Sequence, residues 1–279
     1  MPVKMGRKKV RQLDFLSRFP VCCLCGGNTP ATTRDHLPPK AIFTSHKWPE
    51  EYEFPACGKC NSDSSSDDAI FAMISRINAG RDNTKQETEE WRKQLRAFNE
   101  LHPGEGRKLL LSANEKRRML RLYNIAKPPG IAYGELPILR FTPLIHRAVE
   151  RVSRKLILAL HYRHSGQIVP SDAWVQVLWR TNVHRIANDF PEEIFGVFHG
   201  RVELRRDRKS LGDQFDYQFG VSDDGQLGGY IAAFRKVFFV IRLVVFDASQ
   251  MNETNEEELR GAVQEGMGGI DENAAKDSI

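Results

Sequence analysis

Two Cys-x-x-Cys pairs near the start of the chain offer four thiolate ligands at a spacing typical of zinc sites. Cys22 and Cys25 form the first pair, and Cys57 and Cys60 form the second. Each pair can turn two sulfur atoms toward one ion, and four thiolates leave no open position on a tetrahedral zinc. The pattern therefore predicts one structural zinc ion, with buried or redox-active thiols as the alternative. Cys23 lies outside both pairs and is expected to be a core or surface thiol.

Three further residues could carry a different chemistry. Asp35 and His36 lie between the two pairs, and Asn61 directly follows the last cysteine. Carboxylate and amide oxygens suit a hydrated divalent ion, and a neutral imidazole can accept a proton near pH 7. Our hypothesis is that Asp35 and Asn61 hold Mg²⁺ or Mn²⁺ while His36 acts as a general base on water. The alternative is a hydrogen-bonded Asp-His pair at the end of a strand.

Taken together, these motifs resemble the HNH (ββα-metal) endonuclease superfamily in its four-Cys subtype. The resemblance covers about residues 20–75 and rests on CCLCG at 22–26, RDHLPPK at 34–40 and PACGKCN at 55–61. It implies a zinc-stapled ββα module and metal-dependent hydrolysis of phosphodiester bonds in DNA, with RNA left open as a substrate. By the same resemblance, Asp35 and Asn61 would hold the catalytic ion and His36 would activate the water.

The chain departs from the family pattern at two places. YEFP at 52–55 replaces the common Asn-Leu before the second cysteine pair, and the helix after Asn61 lacks the His or Lys that many members carry. A third contact for the ion or the phosphate is therefore open among Ser65, Asp67 and Lys40. The rival hypothesis is a non-catalytic zinc module that binds nucleic acid or protein, in which the three site residues are structural.

The charge distribution favours a polyanionic partner. From position 247 to the end there are nine acidic and two basic residues, so the preceding chain carries a net charge of +12. Lys and Arg side chains that neutralise phosphates release counterions, which favours nucleic acid; the alternative is a solubilising surface. No apolar run reaches the ~18 residues of a membrane-spanning helix, and no signal peptide is seen. With every cysteine between positions 22 and 60, we expect reduced thiols in a cytoplasmic protein.

The sequence patterns along the chain predict an α+β fold in four segments. These are a zinc-stapled HNH module (1–80), a helical connector (81–128), an α+β domain of unknown role (129–248) and an acidic, disordered tail (249–279). Helical spacing of apolar residues predicts an amphipathic helix over 142–165. Segments rich in β-branched and aromatic residues predict strands at 173–179, 194–204, 215–221 and 230–246. We expect a helix packed on a mostly antiparallel sheet, which could position DNA, bind a protein partner or form a homodimer.

Other polar residues have simpler explanations. Asp67 and Asp68 lie in the first turn of a predicted helix over 67–78, where carboxylates favour the helix dipole. His161 and His164 are three residues apart on the long helix and are expected to be core or interface residues. His46 lies in a polar loop and is expected at the surface.

Overall fold

A computed structural model describes residues 6–77, 84–136, 138–187, 195–196, 198–235 and 238–247. The acidic tail predicted for 249–279 lies outside these residues. Within the described ranges, no helix combines the length and the apolar character that crossing a bilayer requires.

The N-terminal unit has the order helix, two strands, two helices. Its elements are α1 (Arg7–Arg18), β1 (Thr33–His36), β2 (Glu53–Ala56), α2 (Gly58–Ser62) and α3 (Ser65–Ser75). The two strands are antiparallel, and His36 pairs with Glu53 while Asp35 pairs with Phe54. Successive side chains of a strand point to opposite faces. Asp35 therefore lies on the face of Phe54, and His36 lies on the face of Glu53.

Three helices follow this unit along the chain. They are α4 (Lys85–Leu101), α5 (Glu105–Lys108) and α6 (Ala113–Leu122). The two longer ones begin at capping boxes, formed by Thr84 with Glu87 and by Ser112 with Glu115. Each box satisfies backbone N–H groups that the first helical turn leaves without a partner.

The C-terminal unit is a long helix against an antiparallel sheet, as predicted. Its elements are α7 (Pro143–Ser165), β3 (Trp174–Thr181), α8 (Asn182–Ile186), β4 (Gly200–Arg201), β5 (Arg205–Arg206), β6 (Lys209–Ser210), β7 (Phe215–Val221), β8 (Leu227–Phe234) and β9 (Phe238–Val245). The larger sheet has the order β3-β9-β8-β7-β4, and β5 and β6 form a separate hairpin. Helix α7 starts with Pro143 and ends at Gly166, whose φ of +73° suits a glycine cap.

Two predicted strands differ from the observed ones. The segment 230–246 is divided between β8 and β9, which pair as a hairpin. Arg235 lies between them with a left-handed φ of +51°, which sequence periodicity does not reveal. The predicted strand at 194–204 begins outside the described residues, and β4 covers only Gly200–Arg201 within it.

One hydrophobic core joins the two units. The ring of Phe71 on α3 meets Phe234 and Phe238 of the sheet edge-on, with centroid distances of 5.0 and 5.5 Å. Helix α7 packs against α3 as well, and its core side chains Val149, Val152 and Leu156 are fully buried. Burial of each such side chain stabilises the fold by about 1.5–3 kcal/mol. As a result, α7 lies directly beside the predicted site.

Candidate functional site

The four paired cysteines converge, as their spacing predicts. One sulfur atom from each of Cys22, Cys25, Cys57 and Cys60 lies within 4.8 Å of the others. In each pair a backbone N–H donates to the first sulfur: Leu24 N to Cys22 Sγ and Cys60 N to Cys57 Sγ, both at 3.4 Å. The cluster is compatible with a structural metal ion such as zinc, which four thiolates bind at ~2.3 Å.

Glycine makes the first cysteine turn possible. Gly26 and Gly27 follow Cys25 with left-handed φ values of +70° and +75°. A Cβ atom on Gly26 would lie only 2.7 Å from the backbone nitrogen of Ser171, in the segment after α7. The turn therefore needs glycine for its conformation and for its close approach to the C-terminal unit.

The ionisation of the thiols fits a cationic occupant. Burial and the neighbouring sulfurs raise the pKa of Cys22 and Cys60. Burial also tends to raise the pKa of Cys57. Hydrogen bonds from Thr29 and Cys60 outweigh burial there and lower the pKa of Cys57 to about 6. Four thiolates this close repel one another, and a divalent cation removes that repulsion. Cys23 is fully buried outside the cluster, and burial also raises its pKa.

Asp35 occupies the inner face of the β1–β2 ladder and is only 5% exposed. Its Oδ1 accepts the backbone N–H of His36 at 2.8 Å. Its Oδ2 lies 2.6 Å from Nζ of Lys155, a buried lysine of α7. Both oxygens of the predicted metal ligand thus already have protein partners.

Lys155 also contacts two groups of the α3 region. Its Nζ donates to Ser64 Oγ and lies 3.7 Å from Asp68 Oδ2. Asp68 Oδ1 is buried and accepts no hydrogen bond from any residue that the structure describes. Burial raises the pKa of Asp68 to about 6, against the opposing effect of Lys155. One ammonium group therefore bridges two carboxyl groups here.

Asn61 lies on the same face of the ladder as Asp35. Its Nδ2 donates to Thr33 Oγ1 at 2.9 Å, and Thr33 shares the Asp35 face by strand alternation. The carbonyl of Asn61 accepts a hydrogen bond from Ser64, which in turn contacts Lys155. The structure therefore brings Asp35 and Asn61 to the same face of the ladder. Lys155 contacts Asp35 directly and is linked to Asn61 through Ser64.

His36 lies on the outer face with different neighbours. Its Nε2 is 3.0 Å from Glu53 Oε1, and the other oxygen of Glu53 is 2.6 Å from Arg34 Nη1. The ring meets Trp48 edge-on at 5.0 Å. Burial and nearby Lys40 lower the pKa of His36, although Glu53 opposes them. The imidazole is therefore neutral at pH 7, the form that accepts a proton.

Two cations lie against the indole of Trp48 beside His36. Lys40 Nζ is 3.7 Å and Arg206 Cζ is 4.6 Å from the ring centroid. Arg206 belongs to β5, so the C-terminal unit contributes to this face. The attraction of a cation to an indole is worth about 0.5–2 kcal/mol.

The three candidates for a third contact with the ion or the phosphate lie in different surroundings. Ser65 is exposed, Asp67 pairs with Arg151 at 3.3 Å, and Lys40 lies on the His36 face. Asp68, for which the sequence favours a helix-dipole role over a catalytic one, is the residue that Lys155 joins to Asp35.

Three further histidines, His46, His161 and His164, agree with the sequence-based expectations. His161 is fully buried and contacts Gly225 O at 2.9 Å and the hydroxyl of Tyr230 at 3.0 Å. His164 contacts the hydroxyl of Tyr217 at 2.8 Å. His46 is exposed in its loop.

Sequence reasoning missed the residues that complete each face. Lys155 had a detectable signal, because it lies three residues after Val152 and four before Ala159 on the apolar side of the helix. A lysine at such a position requires a buried partner. Glu53 and Arg206 had no comparable signal, since only pairing and tertiary contact bring them to His36 and Trp48.

Comparisons with known proteins return no match. No family model, no curated protein and no solved structure is similar to this chain.

The predicted catalytic ion does not fit the inner face as it is arranged. Asp35 has both oxygens engaged, and the positive charge that a divalent ion would supply comes from Lys155. Because His36 lies on the opposite face, an ion beside Asp35 would also lie away from the predicted base.

Proposed function

We propose that this chain is an endonuclease that hydrolyses phosphodiester bonds in DNA, with His36 as the general base. The observation that supports this best is the His36–Glu53 pair at 3.0 Å, which lies at the end of β1 in a cysteine-clustered ββα unit. A base oriented by a carboxylate is a recurring arrangement in hydrolytic sites. The HNH resemblance and the basic charge of the chain support the same reaction.

The chain's own residues supply a proton acceptor and positive charge. With Glu53 accepting the N–H of Nε2, the neutral ring of His36 keeps Nδ1 free to take a proton from water. Arg34 and Lys40 lie on the same face and can neutralise a phosphate. Lys155 engages the carboxylate predicted to hold a metal ion, so the proposed chemistry rests on His36, Arg34 and Lys40.

Plasmid nicking tests the proposal. His36→Ala should reduce the rate by about 10²–10⁴-fold, the usual contribution of a general base. His46→Ala is the matched control, since that histidine is exposed, is not part of the proposed site and should leave the rate unchanged. Reactions with Mg²⁺, with Mn²⁺ and without added ion test the predicted metal dependence. Full activity in His36→Ala would reject the assignment of the base.

Lys155→Met asks whether the ammonium excludes a divalent ion from Asp35. If it does, the variant should bind Mn²⁺ more tightly than the wild type in calorimetry. Unchanged Mn²⁺ binding would show that Asp35 is a purely structural partner of Lys155.

The rival proposal is a non-catalytic zinc module that binds nucleic acid or protein. The Asp35–Lys155 pair at 2.6 Å favours it, because a buried ion pair accounts for this carboxylate without catalysis. Retained binding with no cleavage under any ion would support the rival. Parallel reactions on RNA decide between the two polymers.

A further inference from the structure

The hairpin of β5 and β6 carries an unusual concentration of positive charge. Its six residues from 205 to 210 read RRDRKS, and every one except the half-buried Arg206 is exposed. The turn residues Asp207 and Arg208 have left-handed φ values of +50° and +63°. Asn-Gly suits such a turn best. The chain instead places an arginine at a position where backbone conformation alone favours glycine.

The hairpin is fixed against the N-terminal unit beside His36. Glu50 N donates to Arg205 O at 3.1 Å, and Asp207 N donates to Glu50 Oε1 at 3.2 Å. Lys47 Nζ lies 3.4 Å from Asp207 Oδ2. These contacts hold Arg206 over Trp48, at the ring that Lys40 also contacts.

Positive charge exceeds negative charge on this face. Proximity of Arg34, Lys8 and Arg206 adds to burial in lowering the pKa of Lys40, although Glu53 opposes them. An anion on this face would relieve the repulsion among these cations.

The carboxylates of the face are already paired. They are Glu53 with Arg34 and His36, Asp207 with Lys47 and Arg206, and Glu203 with Arg205, while Glu50 accepts the N–H of Asp207. Within the described part of the chain, Arg208 and Lys209 have no carboxylate at ion-pair distance. Their charges are therefore available to a ligand.

We propose that the β5–β6 hairpin and the cations around Trp48 form one surface that binds the phosphate backbone of DNA. This surface, the basic face, comprises Arg34, Lys40, Trp48, Arg206, Arg208 and Lys209. The cations come from β1, from the segment that follows it and from the β5–β6 hairpin. Trp48 contacts two cations, so it orders charge rather than stacking on a base. Contacts of this kind position a duplex without reading its sequence.

Binding measurements in a His36→Ala background test this inference without cleavage. The probe is a labelled DNA duplex of about two helical turns, titrated by fluorescence anisotropy at several salt concentrations from about 50 to 200 mM. Arg206→Gln with Arg208→Gln should weaken binding about tenfold at the lower salt. The slope of log affinity against log salt should fall by about 2, because each phosphate contact contributes about 0.9.

Arg118→Gln with Arg121→Gln is the matched control. Both residues are exposed on α6, so the change in net charge is identical but lies away from the hairpin. The control should bind like its parent. The inference is overturned if the hairpin variant binds as tightly as its parent, or if the control loses as much affinity. Equal metal content and circular dichroism confirm that each variant is folded.

Single-stranded DNA and duplex RNA of the same length serve as further probes. Tighter binding of either one that the hairpin variant does not weaken would overturn the assignment to duplex DNA. Because binding is measured without cleavage, absence of nuclease activity in the wild type would reject the proposed reaction and leave this result unaffected.

Discussion

On the inner face of the β1–β2 ladder, Asp35 is buried against Lys155 of α7. On the outer face, His36 is partly exposed beside Glu53, Lys40 and Trp48. The side chains of Lys155 and Asp35 are 9% and 7% exposed, whereas those of His36 and Glu53 are 22% and 26% exposed. The inner face holds an ion pair that is largely removed from water, whereas the side chains of the outer face are partly exposed.

The difference shows how strand geometry separates two sequence neighbours. Asp35 and His36 are consecutive in β1, so their side chains point to opposite faces. The side chain of Asp35 contacts Lys155 of α7, and α7 packs against α3 in the shared hydrophobic core. The side chain of His36 contacts Trp48 in the loop before β2, and Arg206 of the β5–β6 hairpin lies over that same indole. Adjacent residues in one motif therefore have different surroundings: the side chain of Asp35 is buried, and that of His36 is partly exposed.

The largest effect we expect is loss of the metal that supports both faces. Cys60→Ser should abolish binding of one zinc per chain and unfold the N-terminal unit, because structural zinc contributes many kcal/mol to such units. Metal analysis and thermal unfolding measure both effects. Cys23→Ser is the control: it is buried outside the cluster and should keep its zinc. A Cys60→Ser protein with a full equivalent of zinc would contradict the four-sulfur site.

The inner face predicts the next largest effect. Lys155→Met should lower the free energy of unfolding by about 3–5 kcal/mol, because it leaves the buried carboxylate of Asp35 unpaired. Lys155→Met combined with Asp35→Asn should recover at least half of the loss. Denaturant unfolding measures each value.

Arg151→Met on the same helix is the control for that comparison. Its partner is Asp67, but the Arg151 side chain is 68% exposed, so the loss should be at most about 1 kcal/mol. Equal losses of unfolding free energy in Lys155→Met and Arg151→Met would show that the buried pair stabilises the fold no more than the exposed pair.

The pH dependence of the free energy of unfolding is a further test of the buried charges around Lys155. The pKa of Asp68 is raised to about 6 in the folded state. The protonated carboxyl group therefore stabilises the folded protein at low pH, and this contribution to the free energy of unfolding is lost as pH rises through 6. Asp68→Asn removes this loss. Its stability relative to wild type should increase by about 1 kcal/mol between pH 5 and pH 7. A difference that is constant with pH would show that Asp68 is not perturbed.

The smallest effect belongs to the outer face. Glu53→Gln should change the free energy of unfolding by less than about 1 kcal/mol, because the groups it pairs with are partly solvated. It should also lower the pKa of His36 further, since Glu53 raises that pKa against burial and Lys40. NMR titration of the ring measures this, with Glu50→Gln as control. An unchanged or higher pKa would remove Glu53 as the partner of His36.

Local patterns were enough to predict several elements. The helix expected over 142–165 is α7 at Pro143–Ser165, because its apolar spacing and terminal Pro and Gly are properties of the segment itself. The division of 230–246 into β8 and β9 was not predicted, because Arg235 and Lys236 interrupt the apolar residues for only two positions. Periodicity reports which side chains are buried, and so short an interruption does not distinguish a turn from charged positions within one strand.

Local sequence is enough to bring the four sulfurs together, because two Cys-x-x-Cys turns and the short ladder between them are local structures. It also brings Asp35 and Asn61 close to that cluster. The contacts of Lys155 with Asp35 and of Arg206 with Trp48 depend on the tertiary structure. These partners are distant in the chain, and packing of α7 and the β5–β6 hairpin against the N-terminal unit selects them. Long-range packing therefore determines the charge on each face, which no short motif encodes.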